Sequence, residues 1–230
     1  MSAVRLVIGN RNYSSWSLRA WLSLRKSGVS FEEIVLPLDT PEFAARVGQY
    51  SPSRTVPVLQ HGEHCIWDSL AICEYVNEQF AGGEQWPGDP AARAFGRSLV
   101  AEMHSGYGAL RGAMPMNFRA RGRVVARNPA LEADIARVIE RWQTSRERYA
   151  ADGPWLLGRF SIADAFFAPV VVRFGGYTVE LPPGPVADYA VHLRSDPDML
   201  DWEAAAAAET WIVQADEAGV EAGTALASDD

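Results

Sequence analysis

The sequence is short of thiols, of clustered histidine and of positive charge. Cys65 and Cys73 are the two cysteines and stand eight residues apart, too few for a disulfide framework and wrongly spaced for a zinc site. His61, His64, His104 and His192 are scattered and complete no metal pattern, so no metal is expected. A net charge of −8 argues against a nucleic-acid partner. No apolar run approaches the ~20 residues of a membrane span, and no signal-type apolar segment precedes a cleavage site. No membrane partner is expected, and the cytoplasm is the default setting. What the chain has in quantity is apolar residue, 48% of 230, enough for one large domain or two small ones.

The order of elements favours two. Val4 to Ile8 reads as a buried strand, followed by a helix with Leu18, Trp21 and Leu22 on its apolar face, Arg25 and Lys26 in its last turn and Gly28 as its stop. Phe31 to Leu36 reads as a second strand, Pro41 to Tyr50 as a short helix and Thr55 to Leu59 as a strand with proline near its start. His61-Gly62-Glu63 turns into a hairpin partner, His64 to Trp67, before a helix carrying Leu70, Ile72, Tyr75, Val76 and Phe80. This βαβαββα order fills residues 1–81, and the Gly- and Pro-rich stretch 82–90 reads as a linker.

Residues 91–214 read as all helix. One long helix is expected over 91–122, with Gly106, Gly108, Gly112 and Pro115 against it in the middle. A cleaner one runs from Pro129 to about Ala151. The capping box Ser161-Ile162-Ala163-Asp164 opens an apolar helix to Phe174, and two last helices are expected near 185–195 and 197–214. Residues 215–230 are small and acidic, and are expected to form a flexible tail.

The stretch Gly9-Asn10-Arg11-Asn12-Tyr13-Ser14-Ser15-Trp16-Ser17 is where the first strand stops and feeds the first helix. Such a turn leaves free backbone N–H groups beside two hydroxyls and can hold a small anion, a thiolate among them.

Taken together these signals resemble the cytosolic glutathione transferases over nearly the whole chain. Ser14-Ser15-Trp16-Ser17-Leu18-Arg19 resembles the zeta-class motif Ser-Ser-Cys-x-x-Arg, with Trp16 where that motif has cysteine. Thr55-Val56-Pro57-Val58-Leu59 resembles the family's Val-Pro segment with its cis-proline, and Asp68-Ser69 begins 11 residues after Pro57. The capping box at 161–164 resembles the one that opens the core helix of the second domain. The resemblance implies a thioredoxin-like N-terminal domain, an all-helical C-terminal domain, a homodimer, and glutathione as co-substrate in detoxification chemistry.

It also implies roles. Ser14 is the expected donor to the glutathione sulfur, with Ser15 second and Tyr13 a third candidate beside the site; the plainer reading is that a serine simply caps the helix. Val56 and Pro57 would meet the cysteinyl backbone, and Asp68 and Ser69 the γ-glutamyl end, with Ser69 capping its helix. Arg54 either pairs with the glycine carboxylate or is an ordinary exposed arginine. Tyr107, Arg111, Met114 and Phe118 recur on one side of the expected long helix as core or as an electrophile pocket, and Arg173 either meets an acidic substrate or bridges the domains. The expected activity is conjugation of small hydrophobic or acidic electrophiles. Its alternatives are a glutathione-dependent cis–trans isomerase of maleyl-type acids, which the missing cysteine puts in question, and a non-catalytic interaction protein of the same fold.

Overall fold

Alternation along the first strand, β1 (Val4–Ile8), sorts two apolar cores. Val4, Leu6 and Ile8 join a large cluster on one face, while Val7 joins Leu36, Val47 and Val58 on the other, as period-two side chains must. The computed structural model describes residues 3–221. Its main sheet runs β2 (Glu32–Val35), β1, β3 (Val58–His61), β4 (His64–Trp67) in space, with β2 parallel to β1 and β3 antiparallel to both neighbours. Helix α2 (Pro41–Tyr50) covers the small core, and α1 (Ser15–Ser27) and α3 (Ser69–Gln79) cover the large one. This is the thioredoxin-like arrangement, and an all-helical domain follows it.

Helix α1 is the shared wall. It packs on α3 on one side and on α7 (Ile162–Gly176) on the other, so Leu18, Trp21, Leu22 and Leu24 are all buried. Each such side chain contributes ~1.5–3 kcal/mol by leaving water, and truncating Leu18 to Ala should cost ~2–5 kcal/mol. Gly28 ends the helix in the left-handed region at φ 74°, where its N–H reaches the Arg25 carbonyl at 3.1 Å.

Several expected elements are corrected. The long helix over 91–122 is two helices, α4 (Pro90–Ser105) and α5 (Gly108–Ala113), then an irregular segment and the short strand β5 (Arg123–Val124). The break falls at Gly106 and Tyr107. Gly106 has already left helical backbone at φ −102° and ψ −162°, its N–H closing the last turn on the Glu102 carbonyl at 2.8 Å, and Tyr107 has φ 55°, so the helix ends there. Helix α6 (Pro129–Tyr149) and α8 (Pro185–Arg194) stand as expected, whereas α9 (Pro197–Ala208) stops six residues before 214.

The segment after α9 is not frayed where it is described. It crosses the β1–α1 turn, makes a 3₁₀ turn at Gln214–Asp216 and pairs β6 (Val220–Glu221) antiparallel with β5. The rest of the expected tail, 222–230, lies outside the described residues. The stretch 82–90 is likewise pinned. Gln85 accepts from Ser23 Oγ at 2.6 Å, donates to the Ser23 carbonyl at 2.7 Å, and takes the N–H of Ile162 on its own carbonyl.

Candidate active site

A cleft of about 560 Å³ opens at the N-terminus of α1, between the sheet domain and the helical layer. Tyr13, Ser14, Ser15, Trp16, Arg54, Val56, Pro57, Asp68 and Ser69 line one side. Arg111, Pro115, Met116, Arg173 and Asp216 line the other. Thus the eight sheet-side positions expected from the sequence converge, with Trp16 added, and so do Arg111 and Arg173. Tyr107, Met114 and Phe118 do not line the cleft; with the helix broken, they are buried core.

Ser14 caps α1, and the cap is itself supported. Its Oγ lies 2.7 Å from the Ser17 Oγ and accepts the Ser17 N–H at 3.4 Å, while Ser17 Oγ takes the Gly9 N–H at 3.1 Å. Ser14 is 6% exposed and Ser15 8%, both facing the cleft. Tyr13 is occupied elsewhere. Its hydroxyl donates to Glu217 at 2.5 Å and accepts from Arg119 at 2.7 Å. Burial, then the Glu217 hydrogen bond, raises it above the ordinary tyrosine value, so it is a poor acid and already committed.

The turn that precedes Ser14 is tied down by distant residues. The Glu209 carboxylate accepts the N–H groups of Arg11 at 2.8 Å and Asn12 at 3.1 Å, and Trp202 Nε1 donates to the Arg11 carbonyl at 2.9 Å. Glu217 also takes Asn117 Nδ2 at 2.9 Å and the Arg123 guanidinium. Burial pushes the Glu217 carboxyl up, but these hydrogen bonds and the Arg123 charge outweigh it and leave it below the usual range.

On the next loop the Val56–Pro57 bond is cis. The cap of α3 is Asp68, not Ser69 as expected: Asp68 Oδ1 accepts the N–H of Leu70 at 2.8 Å and of Ala71 at 3.3 Å. Ser69 is thereby freed. Its hydroxyl is buried with no hydrogen-bond partner among the described residues. Arg54 is exposed at φ 57° on the cleft rim.

Residues 13–79 match the family model described as glutathione S-transferase, N-terminal domain. That stretch, from the β1–α1 turn through α3, is therefore similar to the N-terminal domain of glutathione S-transferases. Among curated relatives, glutathione S-transferase L1 of Arabidopsis thaliana is 25% identical over 162 residues, 68% of this chain and 61% of that protein. Dichloromethane dehalogenase of Methylorubrum extorquens is 42% identical over 62 residues, 26% of this chain and 22% of that protein. The matched region therefore spans about three-fifths of the first of these transferases. Among solved structures, a glutathione transferase homolog from Burkholderia gl BGR1 with bound glutathione superposes with TM-score 0.65 at 22% identity, covering 90% of this chain and 99% of that one. A theta-class glutathione S-transferase from Xanthomonas axonopodis pv. citri with glutathione bound gives 0.60 at 23%, covering 87% and 97%. These last two show the transferase fold.

The helical side of the cleft carries two arginines, Arg111 and Arg173, and a third is buried nearby on α1. Arg19 is fully buried one turn into α1, its guanidinium 4.3 Å from the Trp16 ring centre and 4.6 Å from that of Phe166. None of its three nitrogens has a hydrogen-bond partner among the described residues, and the same holds for Arg173 Nη1 and Arg111 Nε. Arg173 is held by one bond, from Nε to the Met114 carbonyl at 2.7 Å. Burial, then the charges of Arg173 and Arg111, pulls Arg19 down to about 9. Burial, then Arg111, pulls Arg173 down to about 10. Asp216 faces this group from the far strand-side segment, its carboxyl raised by burial against the attraction of Arg173. Arg111 and Arg173 thus face the cleft with nitrogens that have no partner among the described residues, which an anion there would supply.

The cleft residues that sequence reading missed are Leu38, Phe43, Pro115, Met116 and Asp216. No local pattern marks them. Cys65 and Cys73 lie outside the cleft; Cys73 is buried, and burial pushes its thiol up to about 12.

Proposed function

We propose that the chain is a serine-type glutathione transferase whose second substrate is an anionic electrophile. The observation that carries this is the Ser14 hydroxyl, placed at the N-terminus of α1 in a cleft that also holds the unpartnered Ser69 hydroxyl. A free thiol near pKa 8.5 is mostly protonated at neutral pH, and the thiolate is the nucleophile. The Gly9 N–H is on Ser17 Oγ, and in this reading the Ser17 hydroxyl turns to donate to Ser14, which leaves the Ser14 proton to point at the sulfur; such chains polarise cooperatively. A hydrogen bond to a charged acceptor is worth ~1.5–3 kcal/mol, which lowers the thiol pKa by ~1–2 units. The thiol proton goes to water, and Ser14 keeps its own. The N-terminus of α1 adds to the same effect. Ser15 is the second donor.

In this reading Val56 and Pro57 flank the cysteinyl backbone, Asp68 and Ser69 take the γ-glutamyl end, and Arg54 takes the glycine carboxylate. Residues 1–81 form the glutathione-binding domain, 82–90 the connection and 91–214 the electrophile-binding domain. We place the protein in the cytoplasm, as a homodimer acting in detoxification. Arg111 and Arg173, lining the cleft with unpaired nitrogens, would hold a carboxylate on the electrophile while its carbon meets the sulfur. The same pair favours a second reading. A thiolate that adds to a cis-enoic diacid, allows rotation about the resulting single bond and is then expelled would act as an isomerase of maleyl-type acids.

Retention on immobilised glutathione, and conjugation of a reactive aryl halide with and without a carboxylate substituent, test the proposal. Retention with faster turnover of the carboxylated halide is expected. A chain that is neither retained nor active on either halide overturns it.

A further inference from the structure

His104 sits in the last turn of α4, on the helical layer, yet its partner is in the sheet domain. Its Nε2 lies 2.8 Å from Asp68 Oδ2 and 3.1 Å from Oδ1, so the ring N–H donates to the carboxylate. The ring itself is held by both layers: edge-on to Trp16 at 5.4 Å between centres and stacked on Phe166 at 6.0 Å. We propose that His104 is a positioning residue that aims Asp68 at the ammonium group of a γ-glutamyl ligand, a role that rests on the glutathione reading above.

The two oxygens of Asp68 are differently employed. Oδ1 is taken up by the N–H groups of Leu70 and Ala71. Among the described residues Oδ2 has His104 alone, which leaves it acceptor capacity toward the cleft that Asp68 lines. The Asp68 backbone is in the left-handed region at φ 74°, where a non-glycine residue persists only if its surroundings hold it. Beside it stands the buried, unpartnered Ser69 hydroxyl. A carboxylate acceptor next to a hydroxyl donor is the complement of an α-amino acid: ammonium to Asp68 Oδ2, carboxylate to Ser69. Remove His104, and the Asp68 carboxylate keeps its cap but loses the bond that fixes Oδ2. A half-exposed pair of this kind adds little to folding, so its principal effect is on the ligand.

His104 also touches the other half of the cleft. Trp16, against which it rests, lies 5.6 Å from the Arg111 guanidinium and covers Arg19. The γ-glutamyl end and the cationic wall are thus joined through one indole.

The test compares glutathione with desamino-glutathione, which lacks only the γ-glutamyl amine, by calorimetric titration. Against His104→Ala, glutathione should bind about tenfold more weakly, the loss of one charged hydrogen bond's worth of alignment, and desamino-glutathione less than about twofold. His104→Gln, which keeps a side-chain N–H donor, should restore glutathione binding to within about threefold of the wild type. Equal losses for both ligands, or no loss for either, would overturn the inference while leaving the glutathione reading intact. Absence of glutathione binding by the wild-type chain would overturn both. Should His104→Ala fail to fold, Asp68→Asn against the same two ligands decides the matter: a loss confined to glutathione supports the role, and equal losses sink it.

Discussion

The two walls of the cleft are built on opposite principles. On the sheet side the polar groups are held by their own neighbours: Ser14 by Ser17 and Gly9, Asp68 by Leu70, Ala71 and His104, Tyr13 by Glu217 and Arg119. On the helical side Arg111 and Arg173 have nitrogens with no partner among the described residues, and the buried Arg19 of α1, outside the cleft lining, has none there either. The first wall is preorganised to present a donor. The second holds charge that is unsatisfied among the described residues and that an anion would relieve. A ligand with a thiol at one end of its chemistry and an electrophile carrying a carboxylate would engage one wall each.

The contrast is sharpest at Ser14. Ser14→Ala removes the donor and should lower turnover with a neutral aryl halide about 10–100-fold at pH 6.5, because the bound thiol pKa rises by ~1–2 units. Ultraviolet titration of the bound thiolate checks this, and tripeptide affinity should change little. An unchanged titration moves the role to Ser15.

On the cationic wall the next largest effect is expected. Arg111→Gln should raise KM for a carboxylated aryl halide about tenfold, through loss of one charge-assisted contact. The neutral halide serves as control and should be unaffected; equal changes for both would mean that the wall does not read charge.

Tyr13→Phe tests the alternative donor. It removes the bonds to Glu217 and Arg119 and should lower stability by ~1 kcal/mol in urea titrations, while leaving the thiol titration where it was. The effect should depend on pH. The Glu217 carboxyl is below its ordinary value in the folded protein, so its contribution is present above the unfolded value of about 4.3 and is lost as pH falls through the lower folded one. Below that range, mutant and wild type should converge.

The smallest effect has the opposite sign. Arg19→Met replaces a buried, unpartnered cation by an apolar chain of similar length and should raise the thermal midpoint by about 2–4 °C, the equivalent of ~1 kcal/mol for a chain of this size. A fall would mean that the Trp16 and Phe166 rings more than offset the desolvation of the guanidinium.

The sheet side was legible because its signals are local. A strand ending at Gly9, serines before an apolar helix, proline at a strand start and Asp68-Ser69 before another helix each fix a short stretch of backbone. The helical side was only half legible. Arg111 and Arg173 could be nominated, but the spacing that grouped them with Tyr107, Met114 and Phe118 assumed an unbroken helix, and Tyr107 at φ 55° ends that assumption. Met116 and Asp216 carry no local pattern at all, since each reaches the cleft by the path of the chain around it. The cap at Asp68 was misassigned by one residue, and that shift left Ser69 free.

The bond from Tyr13 to Glu217 joins positions 204 apart. A ribosome makes Glu217 those 204 residues after Tyr13, when the sheet domain can already have begun to fold. During that interval the loop before Ser14 has neither Glu209 nor Glu217 to hold it. The turn before Ser14 is therefore among the last parts of the molecule to be finished, and an unfinished or prematurely released chain would carry the serines without the frame that holds them.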